Sequence, residues 1–415
     1  MQILLKRRML ALSSALRTAE KVRLAKCIED NWHKTCLSYS QELNFWRPKL
    51  PMEPELQGAF LEELERLEID PLSRKEIIDS IQRRRIIQTA PHLVATEGPR
   101  MLCINWLGSL GVPDKEFYIV GMFSGVPFSN RFRPGRINRK EGSINLFPSA
   151  LQDGLVYRSI IPEKFKESMD GLPRKITKFF PFTSPGQSYT KWALQSCQHI
   201  ERQILKKNNL VYLDVNEVVS RYLVKVLKNP NHTIYKILFN PADRKDFMHR
   251  FPNEIIFYTP VISGKYEKME NMRIKGKALV SRNAEIPLEP EAIIHELENG
   301  RLCPSLVVTF MVLAFINQFK CFGSFAQVEY LPVYQKKLAK LKAMKEFKID
   351  TIATSNLTTG SFPGQKDFYP ADIIIENNKW RPDGKMLFGE LIMPIKKTLM
   401  ESYFTGDERN SNEKK

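Results

Sequence analysis

From residue 1 to 83 the apolar positions recur at helical spacing. The stretch "LEELERLEIDPLSRKEIIDSIQRRR" carries spaced leucines and isoleucines, and Asp70-Pro71 breaks it in two. The pattern then changes. "IIQTAPHLVAT" (86–96) is β-rich, and "MLCINWLGSLG" (101–111) returns to helical spacing with Gly111 as a closing cap. "EFYIVGMFSG" (116–125) is again strand-like and mostly apolar on both faces. Strand, loop, helix and strand within about forty residues predict a βαβ unit around a parallel sheet.

The same logic recurs at "LVYLDV" (210–215), a strand whose Asp214 can cap the helix that follows. "NEIIFYTPVIS" and "MRIKGKALVS", within 253–281, predict two further strands joined by a polar, lysine-rich turn. From 285 the pattern is helical, interrupted at Asn299-Gly300 and Gly323-Ser324, and "ADIIIEN" (371–377) predicts one more strand. The expected fold class is α/β: a Rossmann-like parallel or mixed sheet core with N-terminal and C-terminal helical segments. Its expected divisions are a helical region at 1–83, an α/β core at 84–285 and a helical segment packed on it at 286–348. An α/β extension at 349–404 and a disordered tail at 405–415 complete the chain.

The longest unbroken apolar run, "LVVTFMVLAFI" (306–316), is too short to cross a bilayer as a helix and predicts a buried core element. The opening stretch has Lys6, Arg7, Arg8 and Arg17 and no acid before Glu20. That is the character of an organelle-targeting presequence or of a membrane-surface helix. The helical pattern runs on through "KVRLAKCIEDNW" without a cleavage-like break, which favours an ordinary amphipathic helix, and there is no secretory signal.

Composition changes this picture in one respect. Hydrophobic residues at 43% and charged residues at 26% are those of a globular protein. The 63 Lys and Arg against 46 Asp and Glu leave a net charge of +17. Such an excess suits nucleic acid, an anionic membrane surface or anionic small substrates, and equally a lysine-rich solvated surface. The six cysteines form no CxxC pair and the six histidines no HExxH or HxH pair, so neither a metal site nor a disulfide framework is expected. Reduced thiols of a cytoplasmic protein fit better.

Ligands of open parallel sheets bind beyond the carboxyl ends of the strands, and two polar loops fall there. The first, "HLVATEGPR", carries His92, Thr96, Glu97, Gly98 and Arg100 and precedes a helix whose N-terminus favours anions. Pro99 there also serves simply as a good first helical residue. The second carries Ser124, Ser129, Asn130, Arg131, Arg133 and Arg136, with no acid from Phe117 to Lys140. Guanidinium forks suit bidentate capture of carboxylate or phosphate, so these residues with Arg100 are the expected substrate-binding set. The alternative is that the arginines pair with the acids of "ELQGAFLEELERLE". His92, with Glu97 near in sequence, is the candidate general base; the alternative is a hydrogen-bonded structural histidine.

One resemblance arises. "RLCPSLVVTFMVLAFINQFKCFGSFAQVEYLPVYQK" (301–336) resembles a region of the bacillithiol-assembling, cysteine-adding enzymes, with Arg301, Pro304, Gly323, Ser324 and Glu329-Tyr330 in related places. "VATEGPRMLCINWLGSLG" (94–111) occupies the place of that family's Gly-rich strand-to-helix loop. The chain lacks that loop's glutamine-rich signature and has no room for the family's long coiled-coil insertion. The resemblance implies a Rossmann-like core with a helical appendage, and ligase-like or condensing chemistry on a small anionic substrate with a nucleotide bound. A small-molecule biosynthetic enzyme, ligase- or transferase-like, is therefore expected. A basic nucleic-acid-associated protein and a non-catalytic interaction protein with a degenerate α/β core remain the alternatives.

Overall fold

In a computed structural model describing residues 2–364, 368–378 and 382–404, the helical spacing of the first 83 residues becomes five helices. They are α1 (Gln2–Thr18), α2 (Val22–Asn31), α3 (Cys36–Leu43), α4 (Pro54–Arg66) and α5 (Pro71–Arg84). The opening pattern is not one continuous helix. Glu20 takes a left-handed conformation (φ 59°), and α2 folds back to pack on α1. Asp70 and Pro71 act as their types dictate: the Asp70 carboxylate accepts from the Ser73 backbone N–H, and Pro71 opens α5.

A four-stranded parallel sheet lies at the centre. Its strands are β1 (Ile86–Gln88), β2 (Tyr118–Met122), β5 (Leu210–Asp214) and β11 (Lys320–Phe322), in the order β11-β1-β2-β5. Ile87 stands beside Cys321 on one side and Ile119 on the other, and Val120 stands beside Tyr212. All four strands are buried, which explains their near-continuous apolar character. Helix α6 (Pro99–Leu110) links β1 to β2 as the predicted βαβ unit requires. It packs so closely that a Cβ at Gly108 would stand 1.8 Å from the Tyr118 hydroxyl.

Between β2 and β5 the chain makes a long excursion. It contains a small ribbon of β3 (Arg136–Ile137) and β4 (Ile144–Asn145), then α7 (Phe165–Asp170), α8 (Arg174–Thr177) and α9 (Tyr189–Leu205). Phe128 stacks on Phe147, and Tyr189 closes on both, anchoring the excursion to α9. After β5, Asp214 caps α10 (Val215–Val226) by accepting from the Asn216 and Glu217 backbone N–H groups. Helices α11 (Thr233–Phe239) and α12 (Pro241–Arg250) follow.

The segment at 253–281 differs from expectation. It holds three strands, β6 (Phe257–Ser263), β7 (Tyr266–Lys275) and β8 (Ala278–Val280), and the lysine-rich stretch belongs to β7. The turns are the two glycines Gly264 and Gly276, each at φ +63°. With β9 (Glu285–Pro287) and β10 (Cys303–Pro304) these strands form a separate antiparallel sheet, in the order β10-β6-β7-β8-β9. They add nothing to the parallel core.

The helices after β9 are α13 (Pro290–Glu298), α14 (Leu306–Phe310) and α15 (Gln327–Leu338). The apolar run at 306–316 is α14 continued by a wider π-wound turn (Met311–Ile316), and Val307 through Ile316 are buried. "ADIIIEN" is a helix and not a strand. Pro370 opens α16 (Pro370–Glu376), and Asn377 at φ 55° closes it, so terminal signals override three consecutive isoleucines. With α17 (Phe388–Ile392) and α18 (Lys396–Phe404), the regular elements described in 349–404 are helices, and its β-contacts are isolated bridges at Leu357 and Leu387. The tail at 405–415 lies outside the described residues. One buried apolar network runs from Leu5 to Leu399, and no described helix is long and apolar enough to cross a membrane.

Candidate functional site

The chain passes from β1 to β2 to β5 in one direction, then returns to lay β11 on the far side of β1. The direction of winding therefore reverses between β1 and β11, and the carboxyl ends of those two strands face the crevice where such sheets bind ligands. The crevice floor is hydrogen-bonded: Gln88 Nε2 donates to Thr358 Oγ1 (2.9 Å) and Thr89 Oγ1 to the Phe322 carbonyl (2.8 Å).

Above that floor the two polar loops meet. His92 bridges to Phe123, and its Nδ1–H donates to Asn130 Oδ1 at 3.1 Å. The Asn138 backbone N–H donates to Thr96 Oγ1 (2.8 Å), and its side-chain amide donates to the carbonyls of Thr96 (3.0 Å) and Phe132 (3.3 Å). These bonds hold the arginine-rich loop over the β1–α6 loop.

Phe132 is the centre of the cluster. His92 meets it edge-on with 4.8 Å between ring centroids, and the Arg131 guanidinium lies 4.7 Å from its centroid. Arg100, from the first turn of α6, lies 6.0 Å from Phe132 and 5.2 Å from Phe325. Phe325 belongs to the loop after β11, so Arg100 spans the crevice from one strand end to the other. Among the described residues neither Arg100 nor Arg131 forms an ion pair.

The electrostatics follow from this crowding. Burial, and then the Arg131 charge, lower Arg100 to about 10. Burial takes His92 down to about 4, Arg131 adding to the effect and the bond to Asn130 opposing it. The imidazole is therefore neutral at physiological pH. The N-terminus of α6 adds a third favourable element. Gly98 has no side-chain cap and open space where a Cβ would stand, and the first turn holds no acid.

Four of the carboxylates in the 55–68 stretch are engaged elsewhere. Glu62 pairs with Arg221 and Lys225, Glu63 with Arg66, Glu65 with Arg74 and Glu68 with Lys191. Among the described residues none of them pairs with the arginines of 131–136.

The other candidates separate. Arg133 takes a left-handed conformation (φ 54°) and turns to Ser143 Oγ at 3.3 Å. Arg136 lies in β3, half-buried, with its Nε unpartnered among the described residues. Ser129 donates to Asp153 at an exposed position (3.0 Å). Ser124 is fully buried, donates to Asp214 Oδ1 (2.8 Å) and has its own N–H bound by Asn216 Oδ1 (2.9 Å). It pins β2 to β5.

Glu97 is 2% exposed and does not meet His92 in a hydrogen bond. It faces Glu201 beneath α6. Burial, and then the neighbouring Glu201, push its carboxyl well above the usual range. Burial raises Glu201 to about 7, against hydrogen bonds from Tyr212 and Asn105. The structure thus makes no His92–Glu97 dyad; the histidine is oriented by Asn130, and the glutamate is buried beside a second carboxyl, Glu201, which favours its protonated form.

Sequence reasoning missed Phe132 and Phe325. Phe132 had a local signal, standing between Arg131 and Arg133. Phe325 enters only because Lys320–Phe322 is a strand beside β1. Neither the known protein families nor the curated protein sequences match this chain.

Proposed function

We propose that the crevice between β1 and β11 binds a small anionic molecule carrying phosphate or carboxylate, a nucleotide included. The chain on this reading is a small-molecule biosynthetic enzyme of ligase or transferase type with a Rossmann-like core. One observation carries it: two guanidinium groups, Arg100 and Arg131, crowd one aromatic ring at the sheet's switch point, and among the described residues no carboxylate pairs with either. Two such cations lower each other's affinity for protons and raise the site's affinity for an anion. The half-buried Phe132 offers a ring edge for a planar group, and the N-terminus of α6, with open space at Gly98, favours phosphate oxygens. His92 supplies a neutral imidazole whose Nε2 has no hydrogen bond among the described residues. Its role is to accept or relay a proton at that atom. The buried free thiols support a reducing, cytoplasmic setting.

The test is thermal unfolding of the full chain with inorganic phosphate, pyrophosphate and ATP. At least one should raise the melting temperature of the wild type, and Arg100→Ala with Arg131→Ala should remove the shift while Arg133→Ala keeps it. A shift that survives the double substitution, or none in the wild type with any of these anions, overturns the assignment.

A further inference from the structure

On the excursion between β2 and β5, the segment Arg174–Gln187 separates two kinds of surface. One side is an apolar depression of about 550 Å³ lined by Ile161, Phe165, Leu172, Phe180, Phe182 and Trp192. The other is basic: Lys175, Lys178 and Lys206 line a depression of about 390 Å³, which continues past Lys206 to His199 and Arg202. Among the described residues no carboxylate lines the basic depressions. Phe179 borders both of them, and the next residue, Phe180, faces the apolar one.

The rim is unusual for a folded surface. Phe182 is 95% exposed and Ile160 60% exposed, and Ile160 is bridged to Ser188, just past the end of that segment. The exposure is built in. Phe182 stands in a segment stiffened by Pro181 and Pro185, and the Trp192 indole N–H holds the Pro181 carbonyl at 3.1 Å. Phe180 lies against Trp192 with 5.3 Å between ring centroids, so the neighbouring ring is anchored while Phe182 points outward. Lys166 and Arg174 border the apolar depression without ion pairs among the described residues, beside one carboxylate, Asp170.

A rigid outward phenylalanine beside a lysine-lined hollow calls for a partner that is apolar in depth and anionic at its surface. A lipid bilayer is such a partner and closes round a protruding ring, whereas a rigid protein must bring a matching hole. We propose that this face docks the protein on an anionic phospholipid bilayer. Phe182 and Ile160 enter the acyl boundary, and Lys175, Lys178 and Lys206 meet the headgroup phosphates. This does not depend on the reading of the β1–β11 crevice.

The experiment is co-sedimentation of the full chain with phosphatidylglycerol–phosphatidylcholine vesicles and with pure phosphatidylcholine vesicles. Binding should require phosphatidylglycerol. It should weaken about tenfold in Phe182→Ser, survive largely in Phe182→Leu, and fall further in Lys175→Glu with Lys178→Glu. The melting temperature of Phe182→Ser should match the wild type, since the ring touches little of the fold. Helix α1 also exposes Ile3, Leu4 and Leu10 among Lys6, Arg7 and Arg8, so Lys6→Glu, Arg7→Glu and Arg8→Glu together form the control and should leave binding in place. Three results overturn the proposal. They are no binding to the anionic vesicles, which leaves the face to an acidic protein; binding indifferent to Phe182→Ser, which reports only the net charge; and binding lost through α1 instead.

Discussion

The carboxyl edge of the parallel sheet ends in two crevices built from the same kinds of residue and used in opposite ways. Between β2 and β5, Ser124 and the Asn216 N–H both donate to Asp214 Oδ1, and the Asp214 N–H donates to Glu63 Oε1 (3.1 Å). Arg66 forks onto the Glu63 carboxylate at 2.7 and 2.8 Å, and Arg158 forks onto Glu217 beside it. Between β1 and β11 the floor is satisfied but the rim is not: two guanidinium groups and a neutral imidazole gather round Phe132, and among the described residues no acid pairs with them. Polar residues at strand ends therefore do not by themselves mark a site. The distinction is whether their charges are already matched within the fold.

The largest effect should come from breaking the matched crevice. Arg66→Ala strands the fully buried Glu63 carboxylate next to Asp214 and should cost about 3–5 kcal/mol in urea unfolding. A loss below about 1 kcal/mol would show that the crevice is not held by charge matching.

The same crevice should announce itself in pH. Burial, and then Glu63, raise Asp214 to about 7 in the folded protein, above the unfolded value of about 3.9. The native state thus holds a proton that the unfolded chain has released, and stability falls as pH rises from about 4 through 7. Glu201 and Glu97 act in the same direction; His92, depressed to about 4, opposes them between about 4 and 6.5. Asp214→Asn should remove on the order of 2 kcal/mol of that decline in unfolding measured at pH 5 and pH 8. An unchanged slope would mean that the carboxyl is ionised in the native state.

In the unmatched crevice, Arg100→Ala with Arg131→Ala should change stability by no more than about 1 kcal/mol while abolishing the anion-induced shift. Outright unfolding would place these cations among the structural ones and erase the contrast. The smallest effect is expected at Arg133→Ala, within about 0.5 kcal/mol and with the anion response intact, because the Arg133 side chain is exposed and, among the described residues, bonds to Ser143 alone.

Much of the central architecture is legible along the chain. The β1–α6–β2 unit, the cap at Asp214 and the break at Asp70-Pro71 rest on local signals, each within a few residues of the element it shapes. The elements that escape notice are those whose local signal is short or ambiguous. Lys320–Phe322 is three residues following a long apolar helix, and only its pairing with Ile86–Gln88 makes it a strand. "ADIIIEN" has the composition of a strand and the punctuation of a helix, and the punctuation prevails. At the candidate site, His92, Arg100, Asn130 and Arg131 are legible as residues of two strand-end loops. That Arg133 turns to Ser143 and Ser129 to Asp153, and that Glu97 faces Glu201, depends on contacts made in the folded chain.

The sequence by itself determined an α/β chain with a parallel βαβ core and two polar loops at one edge, because periodicity, caps and turn residues act over short spans. The tertiary structure decided which of those polar groups are matched. Whether a buried or crowded charge finds its partner depends on residues such as Glu63, Glu201 and Phe325, which reach it only when distant strands lie side by side.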